Sequence, residues 1–155
     1  MYPTDARARA QVDRMLYLTA EVFQRGRAII NHVFAEQSAM ARIPDDLKAS
    51  YLELLAVIDQ LIGGQKFLIG DDLTVADISL ICDIGFFTDV FLIDISSCTN
   101  VNRWRKTARE ELTKHLGEGT VKEFLDDAIK GFAHTVHIKI GAKVVCPGMK
   151  PEFPN

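Results

Sequence analysis

The chain has 155 residues, 25% of them charged and 48% hydrophobic, and a formal net charge of −3. This length suits one domain with a hydrophobic core, and the mildly acidic balance argues against a nucleic-acid-binding face, which needs clustered Lys and Arg. No apolar run reaches the roughly 18 residues of a membrane span, and no signal peptide opens the sequence. Neither nucleic acid nor a membrane is therefore predicted as a partner.

A long amphipathic helix is predicted first. Thr4 or Asp5 can cap a helix that runs from Ala6 to about Gln37, because its apolar residues recur every three or four positions. Gly26 lies inside this helix, where glycine costs about 1 kcal/mol relative to alanine. It therefore marks a helix-packing contact, a bend, or the close approach of a ligand.

A second amphipathic helix begins near Asp45 and stops at Gly63-Gly64. Thr74 is a good N-cap residue for a third, and Asp77 can reach back to the Thr74 backbone amide, which is the pattern of a capping box. The segment that follows, to about Asp89, is apolar on nearly every side, as expected of a helix buried in a bundle.

The remaining helices are less sharply marked. Thr99 can cap a fourth helix, and a last amphipathic helix ends near Gly131. Thr135–Ile140 alternates like a strand, although the sequence offers no second strand for it to pair with. The pattern predicts an all-α bundle of five or six helices over residues 1–133, followed by an irregular C-terminal tail over residues 134–155.

The residues alone indicate no catalytic centre. Asp83 interrupts the apolar third helix, where an unpaired carboxylate would be costly, so it either faces a crevice or pairs with Arg25 or Arg27. His134, His137 and Cys146 are a weak metal-binding set, and no metal site is predicted. Three widely spaced cysteines fit neither a disulfide framework nor a CxxC site and indicate reduced thiols in the cytoplasm; they are Cys82, Cys98 and Cys146.

The order of several motifs carries a family resemblance. Tyr2-Pro-Thr-Asp5 is followed by Val12-Asp-Arg-Met-Leu-Tyr17, by Ile43-Pro-Asp-Asp46, by Phe67-Leu-Ile-Gly-Asp-Asp-Leu-Thr-Val-Ala-Asp-Ile-Ser79 and by Asn100-Val-Asn-Arg-Trp104. From Tyr2 to Phe132 this series resembles the C-terminal helical domain of cytosolic glutathione S-transferases, most closely the delta and epsilon classes.

The resemblance implies one half of a two-domain enzyme of detoxification. An N-terminal thioredoxin-like domain would bind glutathione as co-substrate and carry the catalytic hydroxyl, and the full-length enzyme would be a cytoplasmic homodimer. The resemblance begins at the interdomain linker, so that domain is expected to be absent from this chain. No catalytic residue and no tightly bound cofactor are therefore predicted, and the chain alone is expected to be inactive.

The resemblance also implies a pocket for small hydrophobic ligands. Five positions of the first helix match the pocket wall, with Arg27 approaching glutathione and Gly26 widening the pocket, and Phe124 on the last helix would close it from the other side. The pocket residues predicted in this way are Phe23, Gly26, Arg27, Ile30, Phe34 and Phe124. The alternative is a non-catalytic ligand-binding or protein-assembly module with a transferase-like helical fold.

Overall fold

The computed structural model describes residues 2–35 and 42–140, and every regular element in those ranges is helical. Because the last three helical segments follow one another without a break, the described residues form five helical rods, within the five or six helices that the sequence predicts. The elements are α1 (Ala6–Ala35), α2 (Asp45–Ile62), α3 (Val75–Asp89), α4 (Thr99–Leu116), α5 (Glu118–Lys122), a π-helical turn (Glu123–Asp127) and α6 (Ala128–Lys139).

α3 is the centre of the bundle. It packs against α1, α4 and α6, while α2 packs against α1 and α4. Every residue of α3 except Asp89 is buried or half-buried, as its apolar sequence predicts. The largest fully buried side chains of the neighbouring helices, among them Trp104 of α4 and Tyr51 of α2, complete one continuous core.

The starts of α1 and α4 show two different capping arrangements. Asp5 caps α1, because its Oδ1 accepts the backbone N–H of Ala8 at 2.9 Å. The prediction that Thr99 caps α4 is wrong, since the N-cap residue is Cys98 and its side chain makes no capping bond. Instead, Asp59 of α2 caps the start of α4, because its Oδ1 accepts the backbone N–H of Val101 at 2.8 Å.

The C-terminal part of the described chain departs from the sequence prediction. The strand predicted at Thr135–Ile140 is wrong, because α6 runs to Lys139 and the Ile140 N–H still bonds to the Val136 carbonyl oxygen at 2.9 Å. A lone strand would leave its backbone groups unpaired, whereas a helix pairs them internally and buries Val136 completely. Residues 134–139 therefore belong to a helix, and the rest of the predicted tail lies outside the described residues.

None of the helices in the described part of the chain is both long enough and apolar enough to cross a bilayer.

Candidate functional site

Four of the six predicted pocket residues lie on one side of α1. Phe23, Arg27, Ile30 and Phe34 are spaced by four, three and four residues, which places them in a single row along a helix. We refer to these four residues as the outer α1 stripe. Phe23 is 40% and Phe34 45% exposed, Arg27 is exposed and Ile30 is half-buried. The stripe is thus an accessible apolar row with one guanidinium in its middle.

Gly26 does not belong to this stripe. It lies on the buried face of α1 with Val22 and Ile29. A Cβ atom built on Gly26 would lie 2.0 Å from Cζ of Phe87, so the Phe87 ring occupies the space that a side chain would need. The expectation that Gly26 widens a pocket is therefore wrong, and the helix-packing interpretation is the one that the structure supports.

The two arginines considered as partners of Asp83 have other surroundings. Arg25 donates from Nη1 to the Ser50 carbonyl oxygen at 2.8 Å and pairs with Glu21 at 3.3 Å, so it fastens α1 to α2. Within the described residues, Arg27 forms neither a hydrogen bond nor an ion pair. The predicted pairing of Asp83 with either arginine is therefore wrong.

Asp83 is half-buried on α3 and, among the residues described, has no hydrogen-bonding or ion-pair partner. Burial removes water from its carboxylate and raises the pKa of Asp83 from 3.8 to about 6. The same burial raises the pKa of the neighbouring Cys82 thiol to about 11, and the Asp83 charge adds to that increase. Cys82 is thus an unreactive thiol at neutral pH.

Phe124 does not lie on α1, which carries the other five predicted pocket residues. It is on the π-helical turn, is 58% exposed, and belongs to an element that packs mainly against α5 and α6. On α6, Phe132 is exposed to a similar degree and its ring lies 6.0 Å from that of Phe86 on α3. The closure of a pocket by Phe124 stays a prediction.

The buried carboxylate of Asp77 joins three parts of the chain. The predicted capping box is present: Asp77 Oδ2 accepts the backbone N–H and the hydroxyl of Thr74, both at 2.8 Å. Its other oxygen accepts the Leu68 N–H at 2.9 Å and the Trp104 indole N–H at 2.8 Å. These last two partners were not predicted, although a buried Trp in an apolar helix face needs an acceptor for its single N–H donor.

The described residues contain no group of three or more His, Cys, Asp or Glu side chains arranged to hold a metal ion. Of the weak metal-binding set, His137 lies half-buried on α6 with Nε2 at 3.2 Å from the Asp89 carbonyl oxygen. Cys146 lies outside the described residues.

Two cavities open between the helices away from the outer α1 stripe. One, of about 600 Å³, lies between the loop before α3 and the end of α4, where Glu111 is paired with Lys114 at 3.1 Å and lies 3.8 Å from Lys66. The other, of about 330 Å³, lies between α3, α4 and the π-helical turn. No residue of the stripe lines either cavity.

Comparison with known proteins gives consistent results. Glutathione S-transferase D7 of Drosophila melanogaster is 27% identical over an alignment 145 residues long, which covers 82% of this chain and 57% of that protein. The structure of a delta-class glutathione transferase of Nilaparvata lugens superimposes on this chain with a TM-score of 0.74 at 26% sequence identity. The superposition covers 89% of this chain and 61% of the Nilaparvata lugens chain. An unclassified glutathione S-transferase of Bombyx mori gives a TM-score of 0.73 at 26% identity, covering 90% and 60%.

The chain thus spans about three fifths of the length of these relatives. The family model described as "Glutathione S-transferase, C-terminal domain" matches residues 6–107, from the first residue of α1 into α4. The match takes in the capping box, Asp77 and the Trp104 that bonds to it. Since it covers more than half of the sequence, this chain belongs to the glutathione S-transferase C-terminal domain family.

Proposed function

We propose that this domain forms the wall that receives the apolar co-substrate in a glutathione transferase, an enzyme that conjugates glutathione to apolar electrophiles. The outer α1 stripe is the observation that carries the proposal. Phe23, Ile30 and Phe34 offer an accessible apolar row of the kind that lines small-molecule sites. Monomeric domains seldom leave such rows uncovered without a ligand or a partner surface.

Arg27 gives the stripe its polar element. A guanidinium has five N–H donors in a fixed plane and suits the carboxylates of glutathione. Within the described residues its donors are unused, and the side chain is exposed. Arg27 would therefore hold glutathione, while the flanking apolar side chains would contact the electrophile.

The chain on its own is proposed to be catalytically silent. Its relatives extend well beyond the region that it matches, and none of the four stripe residues carries a hydroxyl group that could stabilise a thiolate. A thioredoxin-like domain placed against the stripe would supply that hydroxyl, and the full-length form would be a homodimer.

A chimeric enzyme tests the proposal. The glutathione-binding domain of a delta-class relative is joined to the start of this chain, and conjugation of glutathione to 1-chloro-2,4-dinitrobenzene is measured. We expect the chimera to be active and the chain alone to be inactive. Arg27→Gln should raise the KM for glutathione roughly tenfold, the loss of one charge-assisted hydrogen bond, and should change the KM for the electrophile much less.

Arg7→Gln is the matched control, because Arg7 is also an exposed arginine of α1 but lies outside the stripe. If Arg7→Gln and Arg27→Gln raised the KM for glutathione equally, Arg27 would not belong to the glutathione-binding site. A folded chimera that binds glutathione but does not conjugate it would contradict the enzymatic proposal and favour a non-catalytic ligand-binding module.

A further inference from the structure

The smaller cavity, between α3, α4 and the π-helical turn, has a chemically divided lining. Its volume of about 330 Å³ lies within the range of small-molecule sites. Three of its lining residues are basic and belong to α4, and three are aliphatic and belong to α3, the π-helical turn and α6. The basic residues are Arg105, Lys106 and Arg109, and the aliphatic residues are Ile81, Leu125 and Ile129.

The three basic residues differ in how far they are neutralised. Arg109 is fully engaged, because its Nη1 and Nη2 donate to the two carboxylate oxygens of Asp126, each at 2.8 Å. Arg105 has only a long ion pair, 3.9 Å from Nη2 to Asp89 Oδ2, and makes no hydrogen bond within the described residues. Lys106 has neither kind of partner among them.

The side chains that line the cavity carry three positive and two negative charges, and Glu118, outside the lining, lies 3.9 Å from Nη2 of Arg109. Asp89 and Asp126 oppose three cations in the lining, and Asp126 is already committed to Arg109. The Arg105 side chain is 26% exposed, and within the described residues no protein acceptor uses its N–H donors. A bound anion would accept hydrogen bonds from these donors.

The guanidinium of Arg105 lies close to Gly85 of α3. A Cβ atom on Gly85 would lie 3.9 Å from Nη2 of Arg105 and 3.4 Å from Cδ1 of Ile129. Arg105 and Ile129 are therefore close to each other above the backbone of α3. A ligand with its anionic group at Arg105 and Lys106 would place an attached apolar chain against Ile129 and Ile81.

We propose that this cavity binds a small carboxylate with an apolar chain, with the carboxylate at Arg105 and Lys106 and the chain along Ile81, Leu125 and Ile129. The planar fork of an arginine matches a carboxylate with two parallel hydrogen bonds. The site is separate from the outer α1 stripe and does not depend on the function proposed for that stripe.

Calorimetric titration of the full chain with octanoate tests the proposal. We expect saturable binding of octanoate, and at least tenfold weaker binding of acetate, which lacks the apolar chain, and of octanol, which lacks the charge. Arg105→Gln should weaken octanoate binding roughly tenfold or more. Lys106→Gln, at an exposed position where folding is not at risk, should weaken it by a smaller factor.

Two control variants distinguish this cavity from other places on the surface. Lys122→Gln removes the same charge from an exposed position of α5, and Arg7→Gln removes the charge of an exposed arginine of α1 outside the stripe. Both should leave octanoate binding unchanged. The proposal is overturned if octanoate does not bind, if octanol binds equally well, or if the control variants weaken binding as much as Arg105→Gln does.

Discussion

At the scale of single residues, Asp77 forms more hydrogen bonds than the capping of one helix requires. Its carboxylate is fully buried and accepts bonds from Thr74, Leu68 and Trp104. A buried carboxylate is tolerated when its oxygens are fully hydrogen-bonded. Asp77 thereby fixes the start of α3, the loop before it and the inner face of α4 relative to one another.

We expect Asp77→Ala to lower the free energy of unfolding by about 3–5 kcal/mol. The substitution leaves two backbone N–H groups and one indole N–H buried without an acceptor, and each costs about 1–3 kcal/mol. Asp77→Asn keeps one acceptor and should cost less. Urea unfolding monitored by circular dichroism gives both values.

Asp72→Ala is the control, since Asp72 is an exposed carboxylate in the adjacent turn and should cost no more than about 0.5 kcal/mol. Trp104→Phe provides a second check. If the indole bond belongs to the Asp77 network, Trp104→Phe should cost less in the Asp77→Ala background than in the wild type. Additive losses would show that the two side chains act independently.

At the scale of helices, the contact between α1 and α3 depends on a missing side chain. The Phe87 ring lies against the backbone of Gly26, and it also packs on Tyr51, with ring centroids 5.0 Å apart. Phe87 has no exposed surface, so it has little room to move. The cost of glycine within α1 is offset by this close approach of the two helices.

We expect Gly26→Ala to destabilise the protein by about 2 kcal/mol, because the new methyl group overlaps the Phe87 ring and forces a shift in a packed core. Gly119→Ala is the matched control. It is also a helical glycine, but a Cβ atom there would meet no heavy atom within 4 Å. Gly119→Ala should be neutral or stabilising by up to about 1 kcal/mol. Thermal unfolding of both variants separates the two cases, and a neutral Gly26→Ala would contradict the packing described here.

The sequence predicted the helical elements well where signals were local. A few adjacent residues are enough to identify a cap or a glycine stop. The structure confirms the caps at Asp5 and Thr74 and the glycine stop after α2. The start of α4 was misassigned because its acceptor, Asp59, comes from another helix. The end of α6 was missed because a six-residue alternation looks the same whether a strand partner exists or not.

The candidate site was also predictable only in part, because local sequence does not show which distant residues come into contact. Spacing along α1 places Phe23, Ile30 and Arg27 in one row, and the structure has them there. Gly26 was assigned to the pocket by the family resemblance, and local sequence does not reveal its neighbour across the helix interface, Phe87. Contacts between distant residues decide which face of a helix is open, and periodicity alone does not report them.

At the scale of the whole molecule, several charged groups make stability depend on pH in opposite directions. Hydrogen bonds from Lys114 and Lys130 lower the pKa values of Glu111 and Asp127, so the stability that these groups contribute is lost as the pH falls. Burial raises the pKa of Asp83 to about 6, which has the opposite effect. The contribution of Asp83 must therefore be measured as a difference between variants.

We expect Asp83→Asn to stabilise the protein at neutral pH but not in acid. Below about pH 3, which is well under its ordinary pKa of 3.8, the Asp83 carboxyl is protonated in both the folded and the unfolded chain. As the pH rises towards 6 the unfolded chain loses this proton first, so folding becomes less favourable, and above the folded-state pKa the cost is constant. Because the side chain is only half-buried, solvent screening reduces the gain of Asp83→Asn to roughly 1 kcal/mol near pH 7.5.

Urea unfolding near pH 4 and pH 7.5 measures this gain in the free energy of unfolding. Asp71→Asn, at an exposed turn position, is the control and should show no such difference between the two pH values. An equal effect of Asp83→Asn at both pH values would contradict the burial of this carboxylate.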